Sequence, residues 1–158
     1  MAFASAITLT CSAEQPHTSN VALRIFTVAQ ARAGKVAYQS SCGLCHQFNM
    51  HGRTGGPGEL PEVNSLPENM IKTIDQNGGQ VPPLVGPRFM ARWGAKSAKD
   101  YVARVAASIP GFLPNPGTDA AAQLAAYILQ MNGAKPGKVP LSASTGVSLF
   151  AATGQTPP

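Results

Sequence analysis

Cys42-Gly43-Leu44-Cys45-His46 places two thiols three positions apart, with an imidazole directly after the second. That pattern is the attachment signature of a c-type haem, in which two thioethers and a histidine ligand come from one short segment. Cys42 and Cys45 are then the covalent attachment sites and His46 the proximal iron ligand. Other readings of these residues are weaker. A dithiol redox pair wants a strand-to-helix setting within a βαβ pattern, and no such alternation surrounds the motif. Zinc wants more soft ligands, and Cys11, His17 and His51 stand at spacings unlike a finger or a ribbon. A disulfide between residues three apart closes too small a loop to stabilise much.

The bulk composition agrees with a chain built around a cofactor. The 158 residues are 44% hydrophobic, enough for one domain with tails, yet aromatics make up only 6%. With 16 Gly and 14 Pro, much of the backbone is irregular, and a large flat cofactor supplies the missing core surface. The net charge of +5 is spread along the chain. It forms no basic stripe with interleaved aromatics, so nucleic acid is not an expected partner. Two readings of the charge stay open: a mildly basic face that steers docking of an acidic protein partner, or a solvated surface.

Outward from the motif, Thr27 and Gln30 form a capping-box pattern that opens a helix over 28–39, delivering the chain into Cys42. Gly34 inside that helix costs about 1 kcal/mol relative to alanine, which points to another helix crossing closely there. Residues 47–84 shift to Gly, Pro and Asn, an insertion over the haem edge. It holds one short helix, read from Ser65 and Glu68 as a capping box, Pro67 in the first turn and Asn77-Gly78 as the stop. Gly86-Pro87 begins a helical segment through Phe89 and Trp93. Ser97 and Asp100 cap the next helix, whose apolar positions Tyr101, Val102, Val105 and Ile109 keep helical spacing up to Pro110. Thr118 caps a last helix with Leu124, Tyr127, Ile128 and Met131 on one face, assigned to packing on the first helix with Tyr127 near Gly34 and Tyr38.

Both ends read as peripheral. Residues 1–26 form a leader and linker: Met1 to Ala13 is apolar or small without Lys or Arg, like an export signal lacking its basic start. Residues 135–158 are Pro, Gly, Ser, Thr and Ala without a period, an extended or disordered tail. The domain proper is 27–134. No stretch is long and apolar enough for a membrane span, and one motif without repeats means one haem per chain.

Together these residues resemble the class I cytochrome c family over roughly 28–133. The resemblance is carried by the Gly-and-aromatic helix, the haem motif, the Gly-Pro turn and the Ala126-Tyr127-Ile128-Leu129 pattern. The 27–45 stretch, Pro82-Pro83-Leu84-Val85-Gly86-Pro87-Arg88-Phe89 and Trp93-Gly94 look like small bacterial cytochromes that accompany quinoprotein alcohol dehydrogenases. The resemblance implies an all-α cytochrome c fold, several helices wrapped around one covalently attached haem c. It also implies Pro87 as the carbonyl that orients His46, and Phe89 as cover for the proximal face. The implied function is that of an electron carrier, not an enzyme, located in the periplasm or otherwise exported. Its partners would be a quinoprotein dehydrogenase as donor and a terminal oxidase or second cytochrome as acceptor. The chain departs from the family where a distal Met-Pro usually stands: the dipeptide here is Ile109-Pro110. Met90 and Met131 are expected in the core. Met70 is then the first side chain to consider as distal ligand, with Met50, His51 and His17 behind it, and an iron without a strong distal ligand is the leading expectation. The second function is accordingly a haem module whose open site binds a small ligand, in a sensor-like or peroxidase-like role.

Overall fold

The first helix begins where the sequence places it. Thr27 Oγ1 accepts from the Gln30 amide and Gln30 Oε1 accepts from the Thr27 amide, both at 3.2 Å, so the capping box satisfies two free donors and starts α1 (Val28–Ala37). The computed structural model of the protein describes residues 22–109, 111 and 119–157. The proposed signal and the caps or stops at Pro110 and Thr118 lie outside them, in part or whole. Helical geometry does not stop before Cys42. It runs on through a π-helical turn at Tyr38–Cys42 into α2 (Gly43–His46). The Ser41 hydroxyl supports the turn by donating to the Ala37 carbonyl at 2.7 Å.

Five further helices follow: α3 (Glu68–Gln76), α4 (Gly86–Trp93), α5 (Ala98–Ser108), α6 (Ala120–Met131) and α7 (Leu149–Thr153). The described residues contain no strand, only three isolated bridges, so the fold is all-helical. The centre is the crossing of α1 and α6. A Cβ on Gly34 would lie 1.9 Å from the Gln123 carbonyl oxygen, which is why that position holds glycine in spite of its helical cost. One turn on, Tyr38 and Tyr127 meet edge to face at 5.6 Å. α6 is buried almost all round, as befits a helix enclosed by α1, α5 and α7.

Two expectations need correction. The Ser65/Glu68 capping box does not form: Ser65 closes a 3-10 turn and donates to the Glu62 carbonyl, and α3 starts at Glu68 after an extended Pro67. Proline pushes the residue before it out of helical backbone, so the helix cannot begin ahead of Pro67. Residues 135–157 are not a loose tail, and residues 23–26 are not a linker. Gln30 bonds Leu141 through both backbone groups at 2.8 Å, and Leu141, Leu149 and Ala152 are buried. Ile25 and Phe26 join the same core, while Leu23 N–H donates to the Ala151 carbonyl. These apolar residues are too few and too irregularly spaced to show a period, and only tertiary contact buries them.

A second, smaller cluster sits in the 47–84 insertion, with Leu66, Met70, Ile74 and Val81 at its centre. Leu44 and Cys45 pack against it, whereas Cys42 packs against the main core. The segment from Cys42 to Cys45 therefore bridges the two clusters.

Candidate functional site

Within one helical run, residues i, i+3 and i+4 share a face, and Cys42, Cys45 and His46 do. All three line a cavity of about 880 Å³ between the two hydrophobic clusters. α3 contributes Thr73 and Ile74 to its wall, with Asn77 just past its end, α4 contributes Phe89 and Trp93, and α6 contributes Leu124 and Ile128. The size suits a cofactor-scale ligand.

His46 is oriented by the backbone. Its Nδ1 lies 2.9 Å from the Pro82 carbonyl oxygen, which accepts the Nδ1 proton and leaves Nε2 with a free lone pair. Burial pushes the imidazole pKa down, against a smaller opposing effect of the Pro82 bond, so the ring is neutral near pH 7. Pro82 is held beside the motif by Arg53 and Val81, which exchange amide bonds at 2.8 and 3.0 Å, and by the Leu84 amide on the Met50 carbonyl at 2.8 Å. Pro87 does not hold this place. It sits in the first turn of α4, where its carbonyl points along the helix toward the amide four residues on. Phe89 does reach the cavity and is buried.

The two thiols are free. Burial raises the pKa of Cys42, with a Ser41 hydrogen bond opposing, and burial raises that of Cys45, with the Arg53 charge opposing. A reactive dithiol pair needs depressed values, so this environment speaks against redox exchange.

Arg53, unremarked in the sequence, fastens the site. Its Nε donates to the Cys45 carbonyl at 3.0 Å, and Nη2 donates to Leu44 at 2.9 Å and to Pro61. Nη1 is buried without a hydrogen-bond acceptor, its nearest carboxylate being Glu59 at 3.9 Å. Arg88, Arg92 and Arg104 also line the cavity, and no Asp or Glu does among the described residues. A flat apolar group bearing carboxylates fits this enclosure: thiols and imidazole on one wall, aliphatic and aromatic faces around, guanidinium groups for the acids. Haem has that composition.

No family model, curated protein or solved structure matches the chain. The site is therefore argued from its own geometry.

Methionine is the element the cavity lacks. Met70 packs with Leu66, Ile74 and Val81 and does not line it; the α3 residues that do stand one turn further along. Met50 and Met90 are buried in the main core and Met131 is exposed, all away from the wall. The expected Met70 ligand is thus placed elsewhere, its flexible thioether used as core filler. Ile109 and His51 do line the cavity, His51 at an exposed position. His17 lies outside the described residues. Sequence reasoning missed Pro82, although the residue before Pro83 is biased to extended backbone with its carbonyl uncommitted. It read Tyr101 as plain core and overlooked Arg53 for want of a sequence signal.

Proposed function

We propose that this chain is a mono-haem c-type cytochrome with a cytochrome c fold, carrying single electrons between a periplasmic dehydrogenase and a downstream acceptor. The observation that carries the reading is the common cavity wall of Cys42, Cys45 and His46, with His46 Nε2 left free by the Pro82 carbonyl. Cys42 and Cys45 hold the haem as thioethers, and His46 ligates its iron with the ring orientation that Pro82 sets. Phe89, Leu124 and Ile128 would give the bound ring an apolar wall. Arg53 Nη1 and the guanidinium groups of Arg88, Arg92 and Arg104 would donate to its carboxylates. When bound, the haem supplies a one-electron ferric/ferrous couple.

Partner and place follow from the resemblance and from chemistry. A quinoprotein dehydrogenase is the donor, and a terminal oxidase or second cytochrome the acceptor. Covalent haem attachment in bacteria is completed outside the cytoplasmic membrane, so the working form is exported. No described helix is long and apolar enough to cross a membrane. A second reading, a module that binds a small ligand on an open iron, is favoured by the four described methionines all lying off the cavity wall. Without methionine the potential is expected below that of Met/His cytochromes.

Absorption spectra of the exported, haem-loaded chain test both readings. Covalent haem with a ferrous spectrum that shifts on adding carbon monoxide supports an open iron. A low-spin spectrum indifferent to carbon monoxide means a sixth protein ligand and a pure carrier. Absence of covalent haem defeats both.

A further inference from the structure

α5 presents Tyr101, Arg104, Val105 and Ser108 to the cavity, one helical stripe. Its outer members are wet: Arg104 and Ser108 are exposed, and Ser108 donates to the Arg104 carbonyl. Tyr101 is different. It is 2% exposed, and its ring is fixed edge to face against Phe89 at 5.3 Å and Trp93 at 5.0 Å. The hydroxyl of Tyr38 donates to the Gln47 carbonyl at 2.7 Å, whereas no hydrogen bond ties the Tyr101 hydroxyl to another described residue and no hydrogen bond contributes to its pKa shift. Most other polar groups on the wall are bonded or solvated, the exception being Arg53 Nη1, which the proposed function gives to the haem carboxylates. Ser41 is bonded to Ala37, Arg53 holds three carbonyls, and Asn77, Gln80, Arg88 and Arg92 are exposed. Arg53 Nη1 is the one fully enclosed polar atom without a partner among the described residues, so the unbonded Tyr101 hydroxyl keeps some exposure, and it belongs to a residue that lines the cavity.

We propose that Tyr101 is the hydrogen-bond donor to a small ligand, diatomic or anionic, bound on the iron face that His46 does not occupy. The inference rests on the haem reading with an open iron. The phenol keeps its proton at ordinary pH, because burial first and then the neighbouring Cys42 and Tyr38 raise its pKa, against the pull of Arg104. It therefore donates rather than accepts. Phe89 and Trp93 hold the ring so that the donor needs no rearrangement when the ligand arrives.

The test uses the haem-loaded full chain as its ferrous carbon monoxide adduct, in wild type, Tyr101→Phe and the control Tyr127→Phe, whose ring packs on α1 outside the cavity wall. The infrared C–O stretch is recorded in H₂O and D₂O, and the rate of carbon monoxide release is measured. Expected are an isotope shift in wild type that Tyr101→Phe abolishes, release faster by about two- to tenfold in that variant, and an unchanged control. Two results overturn the proposal while leaving haem binding intact. One is an adduct without any isotope shift in wild type, a measurement that needs no variant; the other is a loaded chain that binds no carbon monoxide. Absence of covalent haem overturns the parent reading as well.

Discussion

Cys42 and Cys45 share a helical face but not an environment: one packs on the main core, the other on the satellite cluster beside Arg53. Burial leads in raising both pKa values, so at any given pH below them each thiol carries less thiolate than a free cysteine. In the haem-free chain both are expected to alkylate with iodoacetamide more slowly than free cysteine at pH 8, and faster as pH climbs past the usual thiol range. Peptide mass analysis reads each site separately. Rapid modification at pH 7 would point to a stabilised thiolate and revive the dithiol redox reading. At this scale the shared cavity wall of Cys42, Cys45 and His46 was legible, because i, i+3, i+4 spacing in a helix puts three residues on one face. Pro82 and Arg53 were not. The Pro82 group that matters is a backbone carbonyl, which every residue owns, and Arg53 acts on three such carbonyls that only the folded loop brings together.

The helix crossing is the element on which the site depends, since α1 runs through the π-helical turn straight into Cys42, Cys45 and His46. Gly34→Ala puts a methyl group onto the Gln123 carbonyl, a backbone atom that cannot swing aside. Forced overpacking of this kind is expected to cost about 3 kcal/mol, read as a lower urea midpoint. Cavity-facing changes one helix away should not reproduce it. Gln47 ends the run at φ 62 and ψ 158, a backbone region that favours glycine, and Tyr38 braces it through its hydroxyl. Two of the three capping boxes read from sequence are present, at Thr27/Gln30 and Ser97/Asp100. They are local, needing only four consecutive residues. The third failed because Pro67 imposes its own local rule.

Across the whole molecule, the helical class and the α1–α6 pairing could be read from pattern, whereas the role of residues 135–157 could not, because isolated leucines in a polar run carry no period. Leu141 and Leu149 are nearly fully buried, worth about 1.5–3 kcal/mol each. Together they approach the total stability of a small domain. A chain cut after Ala134 is therefore expected to lose its cooperative thermal transition by circular dichroism. A truncated chain that melts as sharply as the intact one would show the segment to be dispensable. The same contacts set an order of events during biosynthesis. Residues 22–26 are made early, yet they find their neighbours, Gly137 on Phe26 and Ala151 on Leu23, only after more than a hundred further residues have been added. A nascent chain lacking residues 137–152 has no partners for those backbone groups and no cover for Ile25 and Phe26, so closure of the core is the last event of synthesis rather than the first.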